Sequence, residues 1–306
     1  MQDIIGDIRS SVRRLSGELE NFQEIARHIR PNAGEIPQLD GLDIYGQTIP
    51  LNGVIGGDHI VYVDFNKRYD LDARIEQAKK QGNLAIAKAL AGCRNKAGIG
   101  ILDVSGHQIT DALLAAMMHQ SFLLGVIYEL DYSGNITERL FENINTRFYN
   151  SSAVSKFLTL LYGEIYVDGT FKFLSAAHPP PVVFSQKYDK IVTIPQPVSF
   201  PPIGTLPSQS DIDRRNTKSV LGYKDPYRVN EIDLIGSGDI MLIYTDGLME
   251  HMKGDEEYFP GRVEEIFHRH KKDSAFVIFE ALKEDVLSFA EPTDDISYVV
   301  IKRESL

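Results

Sequence analysis

The sequence predicts an α+β fold in which helices flank antiparallel β-sheets. Short segments rich in β-branched and aromatic residues, such as 59–65, indicate strands. An Asp-Gly pair at 168–169 lies between the strand-like segments 157–167 and 169–177, which is typical of a β-hairpin. A long apolar pattern at 110–130 indicates a buried helix.

The other elements follow from the same periodicities. Strands are further predicted at 42–49, 98–104, 239–244 and 294–303. Helices are further predicted at 3–30, 70–92 and 137–151, with two more between 261 and 290. Residues 186–230 are rich in Pro, Ser and Asp and are predicted to contain a loop over the surface.

The N-terminal helix is strongly amphipathic. Its apolar stripe consists of Ile4, Ile8, Val12, Leu15, Leu19, Phe22, Ile25 and Ile29. Pro31 ends the helix, and a turn-rich linker follows it. We therefore predict an N-terminal helix and linker at 1–40 and one larger domain at 41–306. The stripe can pack on its own domain or on a second copy of the chain, and the sequence leaves both options open.

Charge and composition restrict the partners. The formal net charge of −11 disfavours nucleic acid and anionic membranes as binding partners. The single cysteine, Cys93, excludes an internal disulfide. No secretory signal pattern and no membrane span are predicted, so the expected compartment is the cytoplasm. An acidic protein would also repel a phosphorylated substrate, unless bound cations invert the local field.

Aspartates recur at the ends of the predicted strands. Asp58 precedes one strand, Asp103 and Asp246 end two others, and Asp294 and Asp295 precede the last. Converging carboxylates raise one another's pKa values unless cations lie between them. Oxygen ligands of this kind favour Mg²⁺ or Mn²⁺. A strand-end aspartate alone is more often a turn former, so the ordered set, and not any single member, indicates a metal site.

The order of these motifs resembles a known family. GGD at 56–58, DVSGH at 103–107, SAAHPPP at 175–181, TDG at 245–247 and DDIS at 294–297 are similar to the motifs of the metal-dependent PPM/PP2C-type protein phosphatases. The resemblance is greatest to the bacterial SpoIIE/RsbU-like branch. It covers about residues 40 to 303.

The resemblance implies a PP2C-like β-sandwich of two antiparallel sheets flanked by helices, with two Mn²⁺ or Mg²⁺ ions at one edge. The implied metal ligands are Asp58, Asp103, Val104, Asp246, Asp294 and Asp295. Asp58 and Asp103 would bind one ion, with Asp103 bridging to the second. Val104 would contribute its backbone carbonyl, and Asp246 and Asp294 would complete the other site. The role of Asp295 is the least defined by the pattern.

The implied activity is hydrolysis of phosphoserine or phosphothreonine on a partner protein, in this branch often a STAS-domain anti-sigma-factor antagonist. A weakly active or inactive binding module is the alternative. A nucleotide cyclase would leave DVSGH and TDG unexplained, and a serine hydrolase using Ser105 lacks the expected elbow motif.

The chain departs from the family pattern at two motifs. The family usually has glycine where this chain has Gln108, and Asn-Ala-Gly-His where it has Ser175-Ala176-Ala177-His178. We interpret His107 and His178 as hydrogen-bonded structural histidines, which is more common than an acid–base role.

Overall fold

The computed structural model of the chain shows an α+β fold, as predicted. The structure describes residues 2–27, 33–51, 56–106, 109–151, 156–210, 219–233 and 236–304. The division of the chain at residue 40 stays a prediction.

The helices of the described residues alternate with groups of strands. They are α1 (Gln2–Arg27), α2 (Phe65–Arg68), α3 (Leu71–Lys80), α4 (Leu84–Gly92), α5 (Ile109–Ser133), α6 (Glu138–Ser151), α7 (Asp246–Met249), α8 (Gly261–His270) and α9 (Ala275–Phe289). Two single 3₁₀ turns lie at Ala33–Glu35 and Cys93–Asn95.

The strands within the described ranges form two main sheets and one small hairpin. They are β1 (Leu42–Ile49), β2 (His59–Asp64), β3 (Lys96–Val104), β4 (Leu158–Tyr166), β5 (Phe171–Ala176), β6 (Val182–Ser185), β7 (Lys190–Val192), β8 (Ser199–Phe200), β9 (Asn230–Ile232), β10 (Ile240–Tyr244), β11 (Met252–Lys253), β12 (Glu256–Glu257) and β13 (Ile296–Arg303). One sheet has the order β1-β13-β10-β6-β7. The other has the order β2-β3-β4-β5-β8, with β9 also paired to β5. The hairpin is β11-β12.

Three apolar layers hold the sheets and helices together. The layer between the two sheets contains alternate residues of both, for example Ile99 and Ile101 against Ile243 and Ile301. A second layer packs the β2-β3-β4 face against α3 to α6. A third packs β10 and β13 against α8 and α9. Because each central strand is buried on both faces, it reads as a continuous apolar run in the sequence.

Two details differ from the predicted elements. The helix predicted at 70–92 is interrupted between α3 and α4, where Gly82 adopts a positive φ of 76°. The strand predicted at 59–65 ends one residue early, because the Asp64 carboxylate accepts hydrogen bonds from the amides of Asn66 and Lys67 and caps α2.

The connection at 186–230 contains regular structure in its described parts, which are 186–210 and 219–230. It contains β7 and β8, and β8 pairs in parallel with β5, whereas the resemblance implied antiparallel sheets. Its far end is fixed to α6 by a buried ion pair, in which the Lys224 Nζ atom lies 2.9 Å from a Glu142 carboxylate oxygen. The Tyr227 amide donates to the other Glu142 oxygen at 2.6 Å.

Helix α5 qualifies the prediction that the chain has no membrane span. Its residues Asp111–Ser133 are long and apolar enough to cross a membrane by length and composition alone. The core helix of a soluble protein passes the same test. One face of α5, including Met118, Phe122 and Val126, is buried in the layer beneath β3 and β4.

Candidate metal centre

The antiparallel registers bring four strand ends to one edge of the sandwich. In the sheet that contains β2 to β5, which we call the first sheet, His59 of β2 pairs with Leu102 of β3. Asp58 and Asp103 therefore lie at neighbouring positions. In the second sheet Tyr244 of β10 pairs with Tyr298 of β13. The aspartates that follow β10 and precede β13 therefore lie at neighbouring positions as well.

Asp58 joins the two sheets. Its carboxylate is buried and accepts a hydrogen bond of 2.7 Å from the Thr245 hydroxyl. The same Thr245 hydroxyl accepts the Ser297 amide at 3.0 Å. Burial first and the Asp103 charge second raise the pKa of Asp58 well above its ordinary value, although the Thr245 hydrogen bond opposes this shift. A nearby cation would oppose both causes of this shift.

Asp103 experiences the charges of the whole cluster. Burial raises its pKa to about 8, and the carboxylates of Asp246, Asp294 and Asp295 add to the increase. A hydrogen bond with Asp58 acts in the opposite direction. Three carboxylates from the second sheet thus act on one aspartate of the first, which places Asp103 at the centre of the group.

Asp246 and Asp294 form the other side of the cluster. Asp246 is the first residue of α7, and burial raises its pKa, followed by the charges of Glu250 and Asp294. Asp294 is half-buried, and one of its carboxylate oxygens accepts the Asp295 amide at 2.7 Å. Both side chains therefore belong to the same electrostatic group as Asp103.

Asp295 has backbone partners at both carboxylate oxygens. One oxygen accepts the Leu51 amide at 2.8 Å, and the other accepts the Gly57 amide at 2.7 Å. A Cβ atom at Gly56 would lie 1.8 Å from an Asp295 oxygen, so this approach requires glycine. Asp295 thereby braces the backbone that precedes Asp58, and its assignment as a metal ligand stays a prediction.

The loop after β3 completes the edge. The Val104 amide donates to the Gly57 carbonyl at 3.4 Å. The Val104 carbonyl oxygen would lie 2.9 Å from a Cβ atom at Gly57, so it is directed toward the segment that holds Asp58. Lys156 supports this loop, because its Nζ atom donates to the Ser105 carbonyl at 2.8 Å and lies 2.8 Å from an Asp111 oxygen.

The carboxylates interact strongly without forming a compact cage. In the described part of the chain, no three His, Cys, Asp or Glu side chains are arranged so that they could hold a metal ion. A cage of three side chains is not required for Mg²⁺, which keeps several waters and also accepts backbone carbonyls as ligands. Burial and mutual repulsion raise the pKa values of Asp58, Asp103 and Asp246, and a bound cation would stabilise the charged forms of such carboxylates. The donor set therefore fits hard divalent cations.

Several contacts of the site were not anticipated from the sequence. Thr245 lies inside the TDG motif, so its motif position was a usable signal for its contact with Asp58. Lys156 and Asp111 carry no local signal that distinguishes them from surface charges. His107 and its neighbour Gln108 lie outside the described residues, so their predicted roles are not addressed.

Comparison with known proteins identifies the family. The family model described as stage II sporulation protein E matches residues 94–304. No curated protein matches the sequence.

Solved structures share the fold at low sequence identity. The SiaA PP2C domain of Pseudomonas aeruginosa has a TM-score of 0.61 at 15% identity, covering 95% of this chain and 98% of that chain. The RsbU and RsbW domains of a Mycobacterium tuberculosis protein have a TM-score of 0.58 at 19% identity, covering 88% of this chain. This chain spans only 62% of that chain. RsbX in complex with magnesium has a TM-score of 0.51 at 14% identity, covering 87% of this chain and 98% of that chain.

The fold is that of PP2C-type domains, which confirms the predicted fold class. Within that class, the chain belongs to the SpoIIE family.

Proposed function

We propose that the protein is a metal-dependent serine/threonine phosphatase that hydrolyses phosphoserine or phosphothreonine on a partner protein. The observation that carries the proposal is the convergence of strand-end aspartates from both sheets on one edge, where Thr245 of one sheet donates to Asp58 of the other. Burial and the neighbouring carboxylates accordingly raise the pKa of Asp103. A structural core gains nothing from several buried acids with raised pKa values, since their charged forms are costly without partners. In a site that binds cations, these buried acids are the ligands.

In this proposal the predicted ligands would hold two divalent ions, Mn²⁺ or Mg²⁺, and Asp103 would serve both sites. When bound, such ions lower the pKa of water and neutralise charge on phosphoryl oxygens. The RsbX structure, a complex with magnesium, supports the choice of a hard cation. Thr245 holds the Asp58 carboxylate in place, and Asp295 fixes the backbone before it. These contacts orient the ligands before any ion arrives.

The proposed substrate is a phosphorylated STAS-domain protein, and the proposed compartment is the cytoplasm. A protein with a net charge of −11 repels a phosphoprotein, so substrate binding would depend on the bound ions. The similarity to RsbU and RsbW domains supports a place in bacterial signalling.

The substrate proposal is tested by incubating the purified chain with a phosphoserine-bearing STAS protein and Mn²⁺. We expect the folded substrate to lose its phosphate, and phosphate-affinity gels measure this loss. The Asp246→Asn variant is the matched control and should leave the phosphate in place. Binding of the substrate without any turnover would instead favour the alternative of an inactive binding module.

We propose further that the chain forms a homodimer through α1. The stripe residues Val12, Leu15 and Ile25 are exposed, with Leu15 at 64% of its full accessible area. Helix α1 contacts α5, which itself exposes Leu113 and Leu124. Apolar side chains left in water on two neighbouring helices favour association with a second copy.

Removal of residues 1–38 tests the dimer. We expect the full-length chain to be dimeric and the truncated chain monomeric in light scattering, because the truncation removes the apolar face of α1. A Val12→Lys/Leu15→Lys variant of the full-length chain should give the same result without shortening the protein. An unchanged mass for both variants would exclude α1 as the contact.

A further inference from the structure

His178 occupies a buried position just below the edge that carries the aspartates. It follows β5 and is only 5% exposed. Its Nδ1 atom lies 2.8 Å from the Thr159 hydroxyl, and its backbone carbonyl accepts the Ser175 hydroxyl at 3.1 Å. Thr159 therefore contacts the ring, and Ser175 fixes the backbone that carries it.

The other ring nitrogen points to the second sheet. Nε2 of His178 is fully buried and forms no hydrogen bond of good geometry, but the ring lies against the backbone of Tyr244. Tyr244 is the last residue of β10 and directly precedes Thr245, the partner of Asp58. The imidazole thus spans from β4 of one sheet to the end of β10 in the other.

Thr159 connects this ring to the centre of the cluster. Thr159 of β4 is the register partner of Asp103 in β3. Directly opposed residues of an antiparallel pair point to the same face, with Cβ atoms about 5 Å apart. The Thr159 hydroxyl is therefore within reach of two acceptors, the Asp103 carboxylate and the His178 ring.

We propose that His178 is a positioning residue of the metal centre, which keeps the Thr159 hydroxyl turned away from Asp103. The inference rests on the proposed function, since it concerns how the same site keeps its central ligand available. A hydroxyl has one proton to donate, and a donation to Nδ1 cannot also be made to Asp103. The Thr159 hydroxyl then occupies no position on the Asp103 carboxylate that a cation would use.

The ring is suited to this task because it is neutral. Burial lowers the pKa of His178 to about 3, so Nδ1 can accept the Thr159 proton at any ordinary pH. With Nδ1 as the acceptor, the proton of the ring resides on Nε2, on the side of the Tyr244 backbone.

The backbone before His178 is strained, and the buried position of the His178 ring between the two sheets accounts for this strain. Ala177 has a positive φ of 53°, in the left-handed region that L-residues rarely adopt. The Ala177 amide donates to the Ser199 hydroxyl at 3.1 Å, which helps to hold the turn. A conformation of this kind persists only where surrounding contacts determine it, and strain of this kind clusters at functional sites.

The experiment measures the Mn²⁺ dissociation constant by calorimetry, in parallel with thermal melting in EDTA. In His178→Phe the Thr159 hydroxyl can turn to Asp103, and we expect Mn²⁺ affinity to fall about tenfold, as for other groups that orient a metal ligand. His178→Asn keeps an acceptor for Thr159 and should stay within about twofold of the wild type. His178→Leu serves if the Phe variant does not fold.

Thr159→Val is the decisive second variant. It removes the competing hydroxyl, so the His178→Phe/Thr159→Val double variant should regain the affinity of the wild type. The inference is overturned if His178→Phe binds Mn²⁺ as the wild type does, or if the double variant keeps the loss of the single one. A purely structural His178 would lower the melting temperature and leave the dissociation constant unchanged. If the wild type itself binds no Mn²⁺, the proposed function fails, and this inference fails with it.

Discussion

Chelation with EDTA is expected to abolish turnover of a phosphate ester, and excess Mn²⁺ is expected to restore it. The acids at the sandwich edge repel a phosphoryl group as long as no cation lies between them. Loss of several kcal/mol of transition-state stabilisation corresponds to a rate lower by roughly three orders of magnitude. Initial rates with a chromogenic phosphate ester, measured across an Mn²⁺ titration, provide the test.

Two controls separate loss of the ions from loss of the fold. Circular dichroism in EDTA should be that of the Mn²⁺-loaded protein, because none of the aspartates of the site belongs to the three apolar layers. EDTA already saturated with Mn²⁺ should have no effect on the rate. Full activity in metal-free chelator would rule out metal-dependent chemistry at this edge.

Replacement of Asp103 by asparagine is expected to reduce kcat by roughly three orders of magnitude, with the fold retained. Asp103 interacts with carboxylates of the opposite sheet, so its replacement affects both predicted ion sites. Each ion contributes several kcal/mol to the transition state, and 1.4 kcal/mol corresponds to a factor of ten. Steady-state kinetics at saturating Mn²⁺ measure the effect. A variant with the wild-type kcat would remove Asp103 from the site.

The same variant, which lowers kcat, is expected to raise the stability of the metal-free protein. The pKa of Asp103 is about 8 in the fold and about 4 in an unfolded chain, so folding favours its protonated form. That stabilisation is complete below about pH 4 and is lost as the pH rises to about 8. In EDTA, the melting temperature of Asp103→Asn should therefore exceed that of the wild type, and the difference should grow between pH 5 and pH 8.

A surface aspartate, Asp168, is a control for which the opposite dependence of stability on pH is expected. Asp168 in the β4–β5 turn accepts the Thr170 amide at 2.9 Å, and this hydrogen bond is the largest cause of its lowered pKa. Asp168→Asn should cost stability above about pH 4, where the wild-type carboxylate is charged. If Asp103→Asn and the wild type melt together at pH 8, the carboxylate cluster is not repulsive and the electrostatic basis of the site fails.

Much of the fold could be predicted, because local patterns determine it. Central strands such as 98–104 are buried on both faces and read as apolar runs, and their ends are marked by aspartate and glycine. The motif order then placed the acids at strand ends. The ligand assignment itself rests on the family resemblance and stays a prediction.

Other features could not be predicted, since they depend on residues far apart in the chain. Nothing near Asp295 indicates that its oxygens accept the amides of Leu51 and Gly57. The parallel pairing of β8 likewise depends on where β5 lies. The break at Gly82 was visible as a Gln-Gly-Asn sequence, but the helical periodicity on both sides outweighed it.

The contact between Thr245 and Asp58 has a consequence for the order of folding. It joins residues 187 positions apart, and the Asp295–Gly57 contact joins residues 238 positions apart. Contacts of such long range form slowly, because the entropy of closing the intervening chain opposes them until both sheets exist. We therefore expect the edge to form together with the long-range pairing of Leu42 and Arg303, and not early enough for a cation to nucleate the fold. A cation that binds there would slow unfolding of the finished protein and leave the rate of folding unchanged.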